Sequence, residues 1–431
     1  MNARRAAPVV LVTASLATVS LPAFLVSALS GVLGDEIGLT ESSLGLAVAV
    51  FFFMFAVASL PAGAFADRFG GWAGVRAGLL ITVVGSLGIG ATANNATVLL
   101  VWMAFAGLAI AFVDTGGARQ IVHSLRQRRH GLALGIKEAG VPAASLLAGA
   151  SLPLLGELVG WRRAYLLVAV VAGILVAVTT WQHRNQAHIS RSADGVDTGQ
   201  SALAEAAVAH AEGLTAGPEA SVMAPKTSRR VEHSGGQPER HYVGELIMLA
   251  TVAAFGVAAA MASAAFMVPS AIGRGIDDAT AGMLLVIGSA AGIAIRVVVG
   301  GFSDRWARSA VPMVAAALFL GALGIWGLTS SNLAVLTVSG LFALGSGWGW
   351  TGLVFLIATR IAPTKPAFAA GAVLVGLGTG GAGGPLVFGF LAEAVGFDLS
   401  WQLAASAMGF AGVLALVLAV FQRRNETKTA P

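Results

Sequence analysis

The sequence predicts an all-α membrane protein in which twelve transmembrane helices form two pseudo-symmetric halves of six helices each. Three observations predict this class. The 431 residues are 56% hydrophobic and only 11% charged, whereas about a quarter of a soluble domain is charged. Twelve apolar runs are each long enough to cross a bilayer, which requires about 20 residues. One pattern of charged loop occurs twice, far apart in the chain, which indicates an internal duplication.

The twelve runs occur as two groups of six. They cover roughly residues 8–33, 43–66, 75–93, 97–122, 131–155, 162–182, 243–270, 279–302, 309–329, 333–359, 367–392 and 400–422. The first run follows Arg4 and Arg5, as the apolar part of a signal peptide would, but it is longer than such a segment. We therefore expect it to remain in the protein as the first transmembrane helix.

Residues 183–240 separate the two groups and differ from them in composition. They are rich in Ala, Ser, Glu, His and Gly and contain no apolar run of membrane length. We expect a mostly disordered linker there. The predicted organisation is an N-terminal half at 1–182, this linker, a C-terminal half at 241–422 and a tail at 423–431.

Lys and Arg are concentrated in alternate loops, for example at Arg68, Arg76, Arg128 and Arg360. The positive-inside rule places this basic side in the cytoplasm. The linker and both termini are then cytoplasmic, in the cytoplasmic membrane of a bacterial-type cell. Because the basic residues lie in short loops and not on one soluble face, no nucleic-acid partner is expected.

The duplicated charged loop has closely matching copies. The first contains Gly63, Asp67, Arg68 and Gly70, and the second contains Gly300, Asp304 and Arg305. Asp67 and Asp304 are 237 positions apart, and so are Thr40 and Asp277, which we expect to cap the second and eighth helices. Equal offsets across six helices predict parallel halves related by an axis along the membrane normal.

Ionisable residues inside a transmembrane helix are energetically expensive, so they are candidate functional residues. Lys137 and Glu138 are adjacent in the fifth run, Arg296 lies in the eighth, and Asp114 and Arg119 lie in the fourth. None of these charges is repeated at the duplicated offset. We expect Lys137 and Arg296 to bind an anion, with Glu138 or Asp114 carrying a proton.

Each of these residues also has a structural interpretation. Lys137 could extend to the cytoplasmic surface. Arg296 could fasten the end of its helix to Asp304 or to a carbonyl group. Asp114 and Arg119 could form a purely structural ion-pair cluster with the charges of the fifth run.

Trp348 and Trp350 lie within the tenth run, beside glycines, where they could line a cavity and stack on a substrate. Packing tryptophans are the alternative. The chain has no cysteine, and its histidines show no metal-ligand spacing. We therefore expect no metal, no other cofactor and no enzymatic activity. The energy source would be a proton gradient.

The pattern Gly-x-x-x-Asp-Arg at Gly63–Arg68 resembles the loop signature of the major facilitator superfamily. That signature lies between helices 2 and 3 and again between helices 8 and 9. The resemblance implies alternating access by rocking of two six-helix halves. It also implies that Asp67 and Arg68 fasten the cytoplasmic ends of helices 2 and 11 in the outward-open state. The gating residues expected on this basis are Gly63, Asp67, Arg68, Gly70, Arg119, Gly300, Asp304 and Arg305.

Two further stretches suggest a narrower branch. Residues 129–137 with the following Gly140-Val141-Pro142, and the Trp348-Gly349-Trp350 element, resemble the cyanate/nitroimidazole permease-like group. Those proteins often have Gln where this chain has Glu138. The position of Arg296 resembles that of the helix-8 arginine of the monocarboxylate and oxalate transporter branches, which contacts the anionic substrate.

The expected function is secondary active transport, coupled to protons, of a small organic solute, with an anion favoured. The expected partners are that solute, the proton and membrane lipid, and no obligate protein partner is expected. Drug or metabolite efflux is the alternative within the same superfamily, given the large apolar and aromatic content. A membrane-embedded enzyme or a sensor is a remote alternative, because the runs contain no catalytic dyad and 183–240 is too short and polar for a folded domain.

Overall fold

The computed structural model describes residues 3–124, 130–184, 239–302, 310–363 and 365–429. All the regular secondary structure in these ranges is helical, and twelve helices are long and apolar enough to cross a membrane. The all-α fold with twelve transmembrane helices is therefore confirmed. The predicted disorder of the linker concerns residues 185–238, which lie outside the described ranges.

The first six helices are α1 at Ala3–Ala28, continued after Leu29 by Ser30–Ile37, α2 at Glu41–Phe69, α3 at Gly71–Thr92, α4 at Ala96–Ser124, α5 at His130–Glu138 and Gly140–Val159, and α6 at Trp161–Arg184. The other six are α7 at Glu239–Ile272, α8 at Asp278–Phe302, α9 at Ala310–Gly327, α10 at Leu333–Ile361, α11 at Pro366–Val395 and α12 at Phe397–Thr429. The last helix continues beyond its apolar part into the predicted tail. The polar residues there include good helix formers such as Arg, Glu and Lys.

Both predicted helix caps are present. Thr40 begins α2 with a capping box, in which Ser43 N donates to Thr40 Oγ1 at 3.3 Å and Thr40 N donates to Ser43 Oγ at 2.7 Å. Asp277 begins α8 by accepting a hydrogen bond from Thr280 N at 2.9 Å. This backbone donor lowers the pKa of Asp277, which lies outside the membrane-spanning segment.

Gly70 alone separates α2 from α3. Its φ is +93°, a left-handed value that residues with a Cβ rarely adopt, so the reversal between these two helices requires glycine. The backbone conformation therefore accounts for the glycine at position 70 of the duplicated loop, and no role in gating is needed to account for it. At Gly63, by contrast, no described residue outside its own helix has an atom within 4 Å of the position that a Cβ would occupy.

The two halves pack through three pairs of helices. These are α2 with α11, α5 with α8, and α1 with α7. Each helix has an equivalent in the other half, six places away in the numbering. Exchanging equivalents turns α2 with α11 into α8 with α5, which is the second pair, and turns α1 with α7 into itself. This is the arrangement expected for two parallel halves related by an axis along the membrane normal, and the pseudo-symmetric fold is confirmed.

The halves approach each other closely at the end of the bundle opposite the basic loops. Gly149 of α5 and Gly282 of α8 lie in mutual contact, such that a Cβ on Gly149 would lie 2.6 Å from the carbonyl oxygen of Gly282. Ser42 N of α2 donates to Glu393 Oε2 of α11 at 3.0 Å. Small residues allow such close backbone approach in membrane proteins. We call these contacts between the halves, made by Ser42, Gly149, Gly282 and Glu393, the distal contact.

Candidate functional site

The backbone of α5 is interrupted beside the two charges that the sequence singled out. Pro142 has no N–H group, so the carbonyl oxygen of Glu138, four residues earlier, loses its usual helical donor. The helix breaks at Ala139, whose N–H is shared between Gly135 O at 3.1 Å and Ile136 O at 3.2 Å. The interruption therefore leaves one carbonyl of α5 free to accept a hydrogen bond from another helix.

A second irregularity lies in α10. Residues Leu341–Ser346 form a π-helical segment whose last four residues are buried, and the helix is interrupted again at Trp350. Wide turns of this kind are rare and are frequent at functional sites. Next to it, the carbonyl oxygen of Trp348 accepts a hydrogen bond from Thr351 Oγ1 at 3.1 Å and another from Arg296 Nε at 3.3 Å.

Four of the predicted charged residues come together where these two irregular segments meet α4 and α8. Lys137 Nζ lies 2.5 Å from Asp114 Oδ1 and 2.8 Å from Glu138 Oε1. Arg296 Nη1 donates to the free carbonyl oxygen of Glu138 and lies 3.8 Å from Glu138 Oε2. We call Asp114, Lys137, Glu138 and Arg296 the charge quartet. It spans both halves of the protein.

The cations of the quartet are buried and the carboxylates are partly exposed. The side chains of Lys137 and Arg296 are 4% and 7% exposed, whereas those of Asp114 and Glu138 are 27% and 40% exposed. Lys137 therefore does not extend to the surface. With two acids and two bases, the formal charge of the quartet is zero when all four groups are ionised, which is how charges inside a bilayer are usually accommodated.

Arg296 joins the two halves through backbone carbonyls. Its guanidinium contacts the carbonyl of Glu138 in the N-terminal half and that of Trp348 in the C-terminal half. One structural interpretation of the sequence was that Arg296 binds a carbonyl at the end of its own helix. Arg296 does bind carbonyls, but they belong to other helices, and one of them lies in the other half. The other partner considered, Asp304, lies outside the described residues.

Of the two tryptophans, only Trp348 lies at the quartet. Arg296 Cζ is 5.7 Å from the centroid of the Trp348 ring, and the ring of Phe24 in α1 is 5.8 Å from it, centroid to centroid. The Trp348 Nε1 donor is buried and has no hydrogen-bond partner among the described residues. Such unpaired donors are uncommon in native structures.

Trp350, predicted with Trp348 to bind substrate, packs elsewhere. Its Nε1 donates to the carbonyl oxygen of Gly347 at 2.6 Å, and its ring lies against Gly256 of α7 in the same half. Two residues that are two positions apart on a helix point about 200° apart, which is why they cannot share one site. The packing interpretation applies to Trp350.

The predicted gating residues that the structure describes lie near the basic loops and away from the quartet. Arg119 forms an ion pair with Asp67 of α2 and does not join Lys137 and Glu138, which was one structural interpretation of the sequence. Arg68 Cζ lies 5.3 Å from the centroid of the Phe69 ring. Gly300 lies within α8, and the remaining two predicted gating residues, Asp304 and Arg305, are outside the described ranges.

Three contributors to the site were not identified from the sequence. They are Phe24, which packs on Trp348, the π-helical segment of α10, and a hydrogen bond between Ser289 Oγ and Ser145 Oγ at 3.0 Å that joins α8 to α5. Pro142 was visible in the sequence, and its effect on the carbonyl of Glu138 could have been anticipated. The other features depend on long-range packing.

Comparisons with known proteins agree with this architecture. A family model described as Major Facilitator Superfamily matches residues 10–331 and residues 250–431. None of the curated proteins matches the chain in sequence. Among solved structures, the chain is similar to a bacterial homologue of the human lysosomal transporter Spinster in an inward-facing, unoccupied conformation. The identity is 13% and the TM-score 0.62, over 98% of this chain and 96% of the other. This likeness concerns the fold.

Proposed function

Because the chain belongs to the major facilitator superfamily, we propose that it is a proton-coupled symporter of a small organic anion that works by alternating access. The protein is an integral membrane transporter with twelve membrane-spanning helices. The charge quartet is the observation that supports an anionic substrate and coupling to protons. It has two buried cations and two partly exposed carboxylates at the interface between the halves. In duplicated transporters the substrate binds at such an interface.

The cations of the quartet support an anionic substrate. Arginine remains charged in proteins, and its planar guanidinium pairs well with a carboxylate through two parallel hydrogen bonds. The guanidinium of Arg296 contacts two neutral carbonyls, and the nearest carboxylate oxygen in the described part of the chain is 3.8 Å away. Its charge is therefore incompletely neutralised, and a substrate anion would complete the neutralisation.

The balance of charge supports coupling to a proton. A bound anion would give the neutral quartet a net charge of −1 inside the bilayer, which is unfavourable. Two charges about 4 Å apart interact with about 4 kcal/mol at an effective dielectric constant of 20. Uptake of one proton by a quartet carboxylate would remove this cost, so proton binding and anion binding would strengthen each other.

The distribution of basic residues supports an orientation with the basic loops and both termini in the cytoplasm. The distal contact then holds the two halves together on the outer side. This arrangement is the one expected for an inward-facing state. An inward proton gradient across the cytoplasmic membrane would drive uptake.

The proposal is tested by uptake into proteoliposomes with an imposed inward proton gradient. The panel contains acetate, lactate, benzoate, oxalate and succinate, together with a lipophilic cation that reports drug transport. We expect gradient-driven uptake of at least one anion, lost in Arg296→Ala and Lys137→Ala. The matched control is Arg274→Ala, because Arg274 pairs with Asp398 near the distal contact and lies outside the quartet.

Two results would contradict the proposal. One is an absence of gradient-driven flux for every anion, with Lys137→Ala indistinguishable from the unaltered protein. The other is gradient-driven extrusion of the lipophilic cation alone, which would favour drug efflux.

A further inference from the structure

We propose that Glu138, and not Asp114, is the carboxylate that exchanges protons during transport, and that its protonation frees Arg296 for a monoanionic substrate. This inference rests on the proposed function and assigns one residue to the coupling step. It follows from a difference between the contacts of the two carboxylates.

Asp114 neutralises one cation, whereas Glu138 lies between two. Asp114 Oδ1 is 2.5 Å from Lys137 Nζ, and its only ion pair among the described residues is with Lys137. Glu138 contacts Lys137 at 2.8 Å and also approaches Arg296 at 3.8 Å. The two carboxylates therefore have different consequences when they bind a proton.

Protonation of Glu138 leaves Lys137 paired with Asp114 but leaves Arg296 with only neutral carbonyl partners. A cation with an unbalanced charge then faces the interface between the halves. Protonation of Asp114 has no such effect, because the charged Glu138 would remain in contact with both Lys137 and Arg296. Only protonation of Glu138 therefore leaves Arg296 available to pair with a substrate carboxylate.

No other described charge near Glu138 changes this balance. The segment His130–Glu138 packs against α1, α4 and α8. Between Ala7 and Ala28, α1 has no ionisable residue. Besides Asp114, α4 has Arg119, which is paired with Asp67, and His123. Besides Arg296, α8 has only Asp278, at its distal end.

Exposure also favours Glu138 as the proton carrier. Its side chain is 40% exposed, compared with 27% for Asp114. An ionised carboxylate facing lipid would be costly at this depth, so the exposed part of Glu138 is expected to face water between the halves. Water there can deliver the proton.

The charge balance fixes the stoichiometry. The Glu138 carboxylate takes a proton from hydronium on the outer side, leaving water, and the substrate carboxylate then pairs with Arg296. The occupied quartet has a formal charge of zero, and both ions leave on the inner side as Glu138 returns its proton to water. One proton moves with one monoanion, and a dianion would leave an uncompensated charge of −1.

The test compares Glu138→Gln with Asp114→Asn, since each amide keeps the size of the side chain but cannot titrate. Binding of acetate, lactate and benzoate to the purified full-length protein is followed by thermal stabilisation between pH 5 and pH 9. In the unaltered protein, affinity falls by about tenfold per pH unit once Glu138 is ionised. In Glu138→Gln, affinity is independent of pH, anion exchange continues, and proton-driven accumulation is lost. Asp114→Asn keeps the pH dependence.

The inference is overturned if Asp114→Asn removes the pH dependence and Glu138→Gln retains it. Because Asp114→Asn could prevent folding, a second measurement uses the unaltered protein in proteoliposomes on a solid-supported membrane. Lactate uptake should produce no sustained current, and a sustained current would refute the one-proton stoichiometry. Failure of the proposed function is distinguishable, because no anion would then bind or move with the unaltered protein.

Discussion

Replacing Pro142 with alanine should separate the stability of the protein from its transport activity. The N–H group that alanine introduces at this position would restore the helical hydrogen bond to the carbonyl of Glu138. This hydrogen bond would turn the carbonyl back along the helix axis, so Arg296 Nη1 would lose it as its partner in the N-terminal half. The substitution therefore acts on the quartet without removing any of its charges.

The expected effects on stability nearly cancel. A proline in the interior of a helix costs about 3 kcal/mol relative to alanine. A hydrogen bond to a charged group contributes about 1.5–3 kcal/mol. The free energy of unfolding should therefore change by no more than about 1.5 kcal/mol. Anion affinity should fall by at least about tenfold, because Arg296 is no longer positioned by both halves.

The assay measures thermal unfolding in detergent and anion uptake in proteoliposomes on the same preparation. Pro385→Ala is the matched control, since Pro385 also lies inside a membrane helix, α11, where its carbonyl faces Gly45 of α2. Uptake by Pro142→Ala equal to that of the unaltered protein would refute the role assigned to the carbonyl of Glu138. So would a loss of stability much larger than that of the control.

Two further predictions concern packing. Trp350→Phe should unfold at a lower temperature in detergent than Trp348→Phe, because only Trp350 loses a hydrogen bond. That loss costs about 1–3 kcal/mol when the acceptor is left unpaired. Anion uptake should fall only in Trp348→Phe, and the reverse order in either measurement would contradict the site. Gly149→Ala should separate α5 from α8, because its methyl group would lie 2.6 Å from the carbonyl oxygen of Gly282. The chain has no natural cysteine, so cysteines can be introduced at the distal ends of these two helices and their disulfide cross-linking measured. Cross-linking should become slower than in Gly173→Ala, where a Cβ meets no atom of another described helix within 4 Å. Equal cross-linking in the two variants would contradict the distal contact.

The fold could be predicted from the sequence because its determinants are local. Each membrane helix is a continuous apolar run, and the caps Thr40 and Asp277 lie next to the helices that they begin. The internal repeat then predicted how the halves are related, because the equal offsets imply equivalent helices. Burying these runs in lipid leaves few alternatives to helices.

The residues of the site could be predicted, but most of their partners could not. Charges within apolar runs identify Asp114, Lys137 and Arg296 directly. Which carboxylate Arg119 meets depends on how α2 and α4 are rotated against each other, and Asp67 is 52 residues away. The contact between Arg296 and the carbonyl of Glu138 joins residues 158 positions apart, in different halves.

The central claim is that one proton accompanies each anion through the charge quartet. The most direct measurement records external pH and anion uptake together in the same weakly buffered suspension of proteoliposomes. The account predicts that the external medium becomes alkaline by one proton per lactate, benzoate or other transported monoanion, and that Glu138→Gln exchanges the anion without any change in pH. Anion uptake with no accompanying proton, or an unchanged proton signal in Glu138→Gln, would contradict the account.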